Sequence, residues 1–198
     1  LHSIQKNESS VLLVMPADHS IQNSETLFKT LNGALEIAVH NWIVTFGIKP
    51  SRPETGFGYL EKGEKVNSEI DAFEVKSFVE KPNYNEAKIL ISKSDTYWNS
   101  GMFVFSARHI LDELRKLAPQ ILMTAEKAFK GRVIEDKVTR FSPVDYGKIP
   151  MEPIDTAVME HSKTLALVPL EAAWSDVGSW QKLWEISQQD QNGVSMSG

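Results

Sequence analysis

The chain has 198 residues, 41% apolar and 24% charged, which is enough for one soluble domain with a proper core. A net charge of -5 leaves no electrostatic footprint for nucleic acid or an anionic membrane. Cysteine is absent, so disulfides and thiolate metal sites are excluded, which fits a reducing cytoplasm. No apolar run approaches the ~20 residues needed to span a bilayer. The opening Leu1-His2-Ser3-Ile4-Gln5-Lys6 has no apolar core and is no signal peptide. It lacks an initiator Met and reads as the tail of a helix, so a segment upstream is expected.

Val11-Leu12-Leu13-Val14-Met15 is a continuous apolar run, read as a strand buried on both faces as in a parallel sheet. Pro16-Ala17-Asp18-His19 follows at its C-terminal end. Asp18 reads either as a turn or cap residue, or as a carboxylate placed to hold Mg²⁺, a hard cation that favours oxygen ligands. Residues 23–41 read as a helix with Ser24 as N-cap and an apolar face of Leu27, Phe28, Leu31, Ala34, Leu35 and Ala38. Residues 42–48 form the next strand and complete a strand–helix–strand unit, whose default crossover is right-handed. The loop at 50–60 carries two prolines and two glycines, and Gly56 and Gly58 would let backbone approach a ligand closely.

Residues 73–79 alternate and read as a strand closed by Glu80-Lys81-Pro82. Pro82 fixes the chain direction after the pair. Lys81 suits a phosphate as a point charge, and Glu80 suits sugar hydroxyls as an acceptor. After a short helix at 86–93, Tyr97-Trp98-Asn99-Ser100-Gly101 turns into a buried strand. Asn99 reads as a reader of a sugar hydroxyl or as an Asx-turn residue. Amphipathic helices are expected at 107–117 and 120–129, a polar stretch at 131–140 and a loop at 141–150. A short helix capped near Asp155 spans 154–160, and a strand spans 164–169. Trp174-Ser175-Asp176-Val177-Gly178-Ser179-Trp180 is a polar turn between tryptophans, followed by a helix over 179–188. The domain is therefore 1–188, with 189–198 a Gln/Ser/Gly-rich tail or linker. The stretches around Asp18, Glu80, Asn99 and Asp176 sit at or between strand ends, where open α/β sheets bind ligands, and are expected to converge on one sugar-nucleotide site.

Seven motifs carry a family resemblance when taken in order. They are Val14-Met15-Pro16-Ala17-Asp18-His19, Thr45-Phe46-Gly47-Ile48-Lys49-Pro50, Pro53-Glu54-Thr55-Gly56-Phe57-Gly58-Tyr59, Phe78-Val79-Glu80-Lys81-Pro82, Trp98-Asn99-Ser100-Gly101-Met102-Phe103, Ile154-Asp155-Thr156-Ala157-Val158-Met159-Glu160 and the Trp174 to Trp180 stretch. Together they resemble the mannose-1-phosphate guanylyltransferases, in particular the bacterial type often fused to a mannose-6-phosphate isomerase domain. The resemblance implies a Rossmann-like nucleotidyltransferase fold, an α/β fold with a mixed, mostly parallel sheet flanked by helices. It implies transfer of GMP from GTP to mannose 1-phosphate, with release of pyrophosphate and formation of GDP-mannose. By position, Asp18 and Asp176 would hold Mg²⁺ and Lys81 the sugar phosphate. Glu80, Asn99 and the Gly56 and Gly58 backbone would read the mannose ring. His19 is expected to be structural. Family likeness further implies a cytoplasmic homodimer.

The family's glycine-rich loop with its Arg and Lys has no counterpart in this chain, and the guanine-reading residues belong to the same part. The expectation is a further ~90–100 residues upstream on domain-size grounds, and an inactive chain without them. Two alternatives stand beside this reading. One is another sugar-1-phosphate nucleotidyltransferase using UTP or dTTP with glucose 1-phosphate. The other is a regulatory subunit that binds GDP-mannose without turnover.

Overall fold

The computed structural model describes residues 1–66 and 69–195. A short helix, α1 (His2–Lys6), opens the chain. A six-stranded mixed sheet forms the centre, in the order β1 (Val11–Val14), β6 (Thr96–Ser106), β3 (Ile43–Ile48), β9 (Leu165–Pro169), β5 (Phe73–Val79) and β4 (Tyr59–Lys65). β4 also pairs with the start of β6. The expected α/β class holds, but the sheet is not mostly parallel. Among the described pairings only β3 with β9 is parallel, and the others are antiparallel. β6 runs against β1, β3 and β4, and β5 runs against β9 and β4.

Strand alternation sorts the core into two layers. Val44, Phe46, Met102, Val104, Ala166 and Val168 face Ala34, Ile37 and Ala38 of α2 (Ser24–Ala38). Ile43, Phe103, Phe105, Leu165 and Leu167 face the opposite way, towards Ile110 of α4 (Ala107–Leu117) and Ala157–Met159. Each fully buried large side chain contributes roughly 1.5–3 kcal/mol relative to exposure. α5 (Pro119–Lys130) adds Leu122 and Ala128 as buried residues. α3 (Tyr84–Ile91) opens on a capping box of Asn83 and Glu86 and packs Ala87 near Tyr59 and Trp98.

Several local expectations are corrected. β1 is an edge strand rather than a strand buried on both faces, and Leu13 is 43% exposed. A continuous apolar run does not distinguish an edge from a centre. Asn23, not Ser24, caps α2, accepting from the Thr26 amide at 3.0 Å. Phe28 and Leu35 lie at the margin of its apolar stripe and are exposed. The polar stretch after α5 is a hairpin of β7 (Val133–Glu135) and β8 (Val138–Arg140). Its turn residues Asp136 and Lys137 have φ of 45° and 71°, as a two-residue hairpin turn requires. α6 (Pro143–Tyr146) interrupts the expected loop. Residues 155–159 form a single π-turn rather than a capped α-helix.

The feature that positions the site is a gap along one edge of β6. β1 pairs with Phe103 to Ser106, and β4 pairs with Thr96 to Trp98. Neither covers residues 99–102, where β6 also bulges against β3 between Thr45 and Gly47. Asn99, Ser100 and Gly101 are therefore a bulge within the strand, and it contains the expected Asx-turn, with the Gly101 amide donating to Asn99 Oδ1 at 3.2 Å. Gly101 has φ of +72°, a conformation that a side chain would strain. The Thr45 hydroxyl lies 2.7 Å from Asn99 Oδ1 and 3.1 Å from the Met102 carbonyl, so it satisfies the bulge from the β3 side. Thr45→Val keeps the shape and deletes this buried donor. It should lower unfolding free energy in urea by about 1–3 kcal/mol.

Candidate functional site

The second determinant is a small ladder between segments far apart in sequence. β2 (His19–Ile21) pairs antiparallel with β10 (Trp174–Asp176), in the register Trp174 with Ile21, Ser175 with Ser20 and Asp176 with His19. The Val177 amide then donates to the Asp18 carbonyl at 2.8 Å. The expected polar turn at Trp174 is thus a strand first, and this pairing sets Asp18 beside Asp176. α7 (Trp180–Ile186) begins just after, with Ser179 as N-cap. Trp180 is 86% exposed, so only the first tryptophan of the stretch belongs to the site.

His19 Nδ1 accepts from Trp174 Nε1 at 3.1 Å, and the two rings meet edge to face. Burial lowers the His19 pKa, against the pull of Asp18 and Asp176, which keeps the ring neutral and able to accept. Phe57 packs edge to face on both Trp174 and Trp98. This aromatic row ties the Gly56–Gly58 segment to the ladder and to β6. The Tyr59 hydroxyl closes the base of that loop by accepting from the Glu54 amide and donating to the Glu54 carbonyl, both at 2.8 Å.

Asn99 is 8% exposed and fully engaged on its oxygen. Oδ1 faces Thr45 Oγ1 and accepts from the Gly101 amide at 3.2 Å, while Nδ2 donates to Asp155 Oδ1 at 3.1 Å. The Asn99 amide also donates to the Gly58 carbonyl at 2.8 Å. Gly58 sits in close quarters, since a Cβ there would lie 2.6 Å from both Glu80 Oε2 and the Phe78 ring and would displace them. The Glu80 backbone amide donates to Glu160 Oε1 at 2.9 Å, and Lys81 Nζ lies 3.3 Å from Glu80 Oε1. Lys81 adopts φ of 46°, a strained conformation for a residue with a side chain and one that gathers at functional sites.

All seven residues singled out in the sequence line one cleft of about 220 Å³: Asp18, Gly56, Gly58, Glu80, Lys81, Asn99 and Asp176. Sequence reasoning missed Asp155 and Trp174 as lining residues and Glu160 as a brace. The only available signal for the two acids was their five-residue spacing within a motif. Burial and the neighbouring Asp155 charge raise the Glu80 pKa, and burial raises that of Asp155. Asp176 Oδ1 is buried without a hydrogen-bond partner among the described residues. Among those residues no cluster of three or more His, Cys, Asp or Glu side chains could hold a metal by itself.

The model of the nucleotidyl transferase family matches residues 2–193. The chain belongs to the nucleotidyl transferase family. It is 40% identical over 195 residues to a mannose-1-phosphate guanylyltransferase of Escherichia coli, covering 97% of this chain and 42% of that relative. The chain therefore spans less than half the length of that curated member. A family structure described as mannose-6-phosphate isomerase from Helicobacter pylori superposes with a TM-score of 0.80 at 34% identity, covering 88% of this chain and 68% of the other. Another, described as mannose-1-phosphate geranyltransferase from Thermus thermophilus, gives 0.79 at 31% identity, covering 95% and 52%.

The raised pKa of Asp155 has a consequence for stability. Its ionised form is disfavoured in the folded chain, so its contribution falls as pH rises from the ordinary carboxylate range through the raised folded value. Asp155→Asn should therefore raise the melting temperature at pH 7. The gain should shrink as pH falls through the raised folded value and vanish once pH reaches the ordinary carboxylate range, read by thermal denaturation across pH.

Proposed function

We propose that the whole protein carrying this chain is a mannose-1-phosphate guanylyltransferase. The observation that carries the reading is the pairing of β2 with β10. It sets two carboxylates, Asp18 and Asp176, on one wall of a cleft whose rim holds Lys81, Glu80 and Asn99. The identity to the Escherichia coli relative supports the substrate pair. In the reaction a phosphate oxygen of mannose 1-phosphate attacks the α-phosphorus of GTP. The bond to the β-phosphate oxygen breaks, pyrophosphate leaves and GDP-mannose forms. The nucleophile is already anionic, so the site needs alignment and charge balance more than a general base.

Two carboxylates with one buried, unpartnered oxygen fit a hard divalent cation that keeps most of its shell for water and phosphate oxygens, as Mg²⁺ does. When bound, such an ion supplies positive charge against the phosphates. Asp18 and Asp176 hold it. Lys81 binds the phosphate of the sugar phosphate, and its fixed backbone holds the ammonium at the cleft mouth. Glu80 accepts from the sugar ring, while the Gly56–Gly58 backbone allows the ring to lie close. His19 positions Trp174 and so the β10 wall.

The reading extends to a cytoplasmic homodimer, with residues 1–188 as nucleotidyltransferase and 189–198 as its tail. Among the described residues no helix is long and apolar enough to cross a membrane. Fusion to an isomerase domain is part of the proposal, supported by the description of the Helicobacter pylori relative.

The test is pyrophosphate release by the whole protein with GTP, mannose 1-phosphate and Mg²⁺, run beside UTP or dTTP with glucose 1-phosphate. Release only in the first mixture is expected, and release only in the second would overturn the substrate assignment. Asp176→Asn should cut turnover by about a hundredfold or more. Unchanged turnover at limiting Mg²⁺ would remove Asp176 from the ion site. Lys81→Ala should raise the KM for mannose 1-phosphate about tenfold or more, with the KM for GTP little changed.

A further inference from the structure

The π-turn at Asp155–Met159 has no role in the scheme above, yet it supplies one acid, Asp155, to the cleft wall and sets a second, Glu160, behind it as a brace. Its defining bond runs from the Glu160 amide to the Asp155 carbonyl at 2.9 Å. In an α-helix, residues five apart point in different directions. A π-turn holds more residues, so positions 155 and 160 come nearly into line. From that alignment Glu160 holds the Glu80 amide, and Asp155 reaches Asn99 Nδ2. One turn thus braces both residues assigned to the sugar.

Asn99 itself has no acceptor left. Its carbonyl oxygen faces the Thr45 hydroxyl and the Gly101 amide, which use both lone pairs. The capacity to accept from a sugar hydroxyl, expected of Asn99, therefore falls to its neighbour. Asp155 lines the cleft beside Glu80 and Lys81, and Asn99 is the side chain that donates to it.

We propose that Asp155 reads the sugar. Its carboxylate accepts a hydrogen bond from a ring hydroxyl of the sugar phosphate, next to the hydroxyl held by Glu80, and together they select the hexose epimer. Asn99 and Glu160 are positioning residues that hold this pair. The inference rests on the proposed function. Two half-buried acids lining one cleft gain from a hydroxyl-rich ligand, because each hydroxyl brings a donor.

The whole protein is assayed with GTP and mannose 1-phosphate, then with each monodeoxy mannose 1-phosphate in turn. Asp155→Asn and Asp155→Ser are compared with wild type, with melting temperatures recorded for all three. Asn is isosteric, but with its oxygen held by Asn99 it presents an amide donor to the cleft. Both variants should raise the KM for mannose 1-phosphate roughly ten- to hundredfold, while the KM for GTP stays within about twofold. One deoxy position that is penalised in wild type should lose its penalty in both variants.

An unchanged deoxy pattern in active, folded variants would overturn the inference and leave the guanylyltransferase reading standing. Equal rises in both KM values, or loss of folding in both variants, would also overturn it by making Asp155 structural. Failure of wild type itself to release pyrophosphate from GTP and mannose 1-phosphate would overturn the function, and the Asp155 role with it.

Discussion

The uncovered edge of β6 is the constraint on which the rest depends. A strand interior leaves backbone donors and acceptors that must find partners. At residues 99–102 neither β1 nor β4 supplies them. The bulge answers this locally. The Asn99 amide turns to Gly58, and Thr45 meets the Asn99 side chain and the Met102 carbonyl. Once Asn99 is locked, Gly58 and Asp155 are held with it, and the opening left between the ends of β1 and β4 is the cleft. Site and sheet defect are the same feature, so site stability draws on the core layers above and below β6.

The electrostatics of the cleft are one-sided. Asp18, Glu80, Asp155 and Asp176 line it, and Lys81 is the only cation among the described lining residues. Burial makes the ionised forms of Glu80 and Asp155 unfavourable. Such a wall costs free energy when empty and is suited to partners that bring hydrogen-bond donors or cations. Preorganisation has the same cost in the backbone, where Lys81 takes a left-handed conformation at the cleft and Ala173 does so one residue before Trp174 of its lining. Natural sites commonly carry local strain of this kind, sustained by packing elsewhere.

Much of the fold was legible because its core strands are continuous apolar runs and its helices keep a regular stripe. β3, β5, β9, α4 and α5 fall where periodicity places them. β2 and β10 were not legible, since three polar-leaning residues on each side become strands only by pairing with each other. The edge position of β1 and the antiparallel course of β6 are likewise properties of neighbours, which no local pattern records. The seven residues read as site candidates share one cleft because strand ends and Gly/Pro turns are visible in sequence. Asp155 escaped because an acid at the start of a helical segment looks like an ordinary cap, and a π-turn differs from an α-turn by one hydrogen-bond register.

The β2–β10 ladder also bears on how the molecule is made. Asp18 and Asp176 are far apart in sequence, and they are joined by a three-residue pairing and the Val177–Asp18 hydrogen bond beside it. Contacts of such sequence separation close late, after loop entropy has been offset by the packed sheet. During synthesis from the N-terminus, the two carboxylates stay apart until β10 has emerged and docked. A nascent chain with a nearly complete core therefore cannot yet bring the pair together. Completion of the cleft therefore waits on β10, and damage to either three-residue strand should unmake the site while leaving the sheet behind it intact.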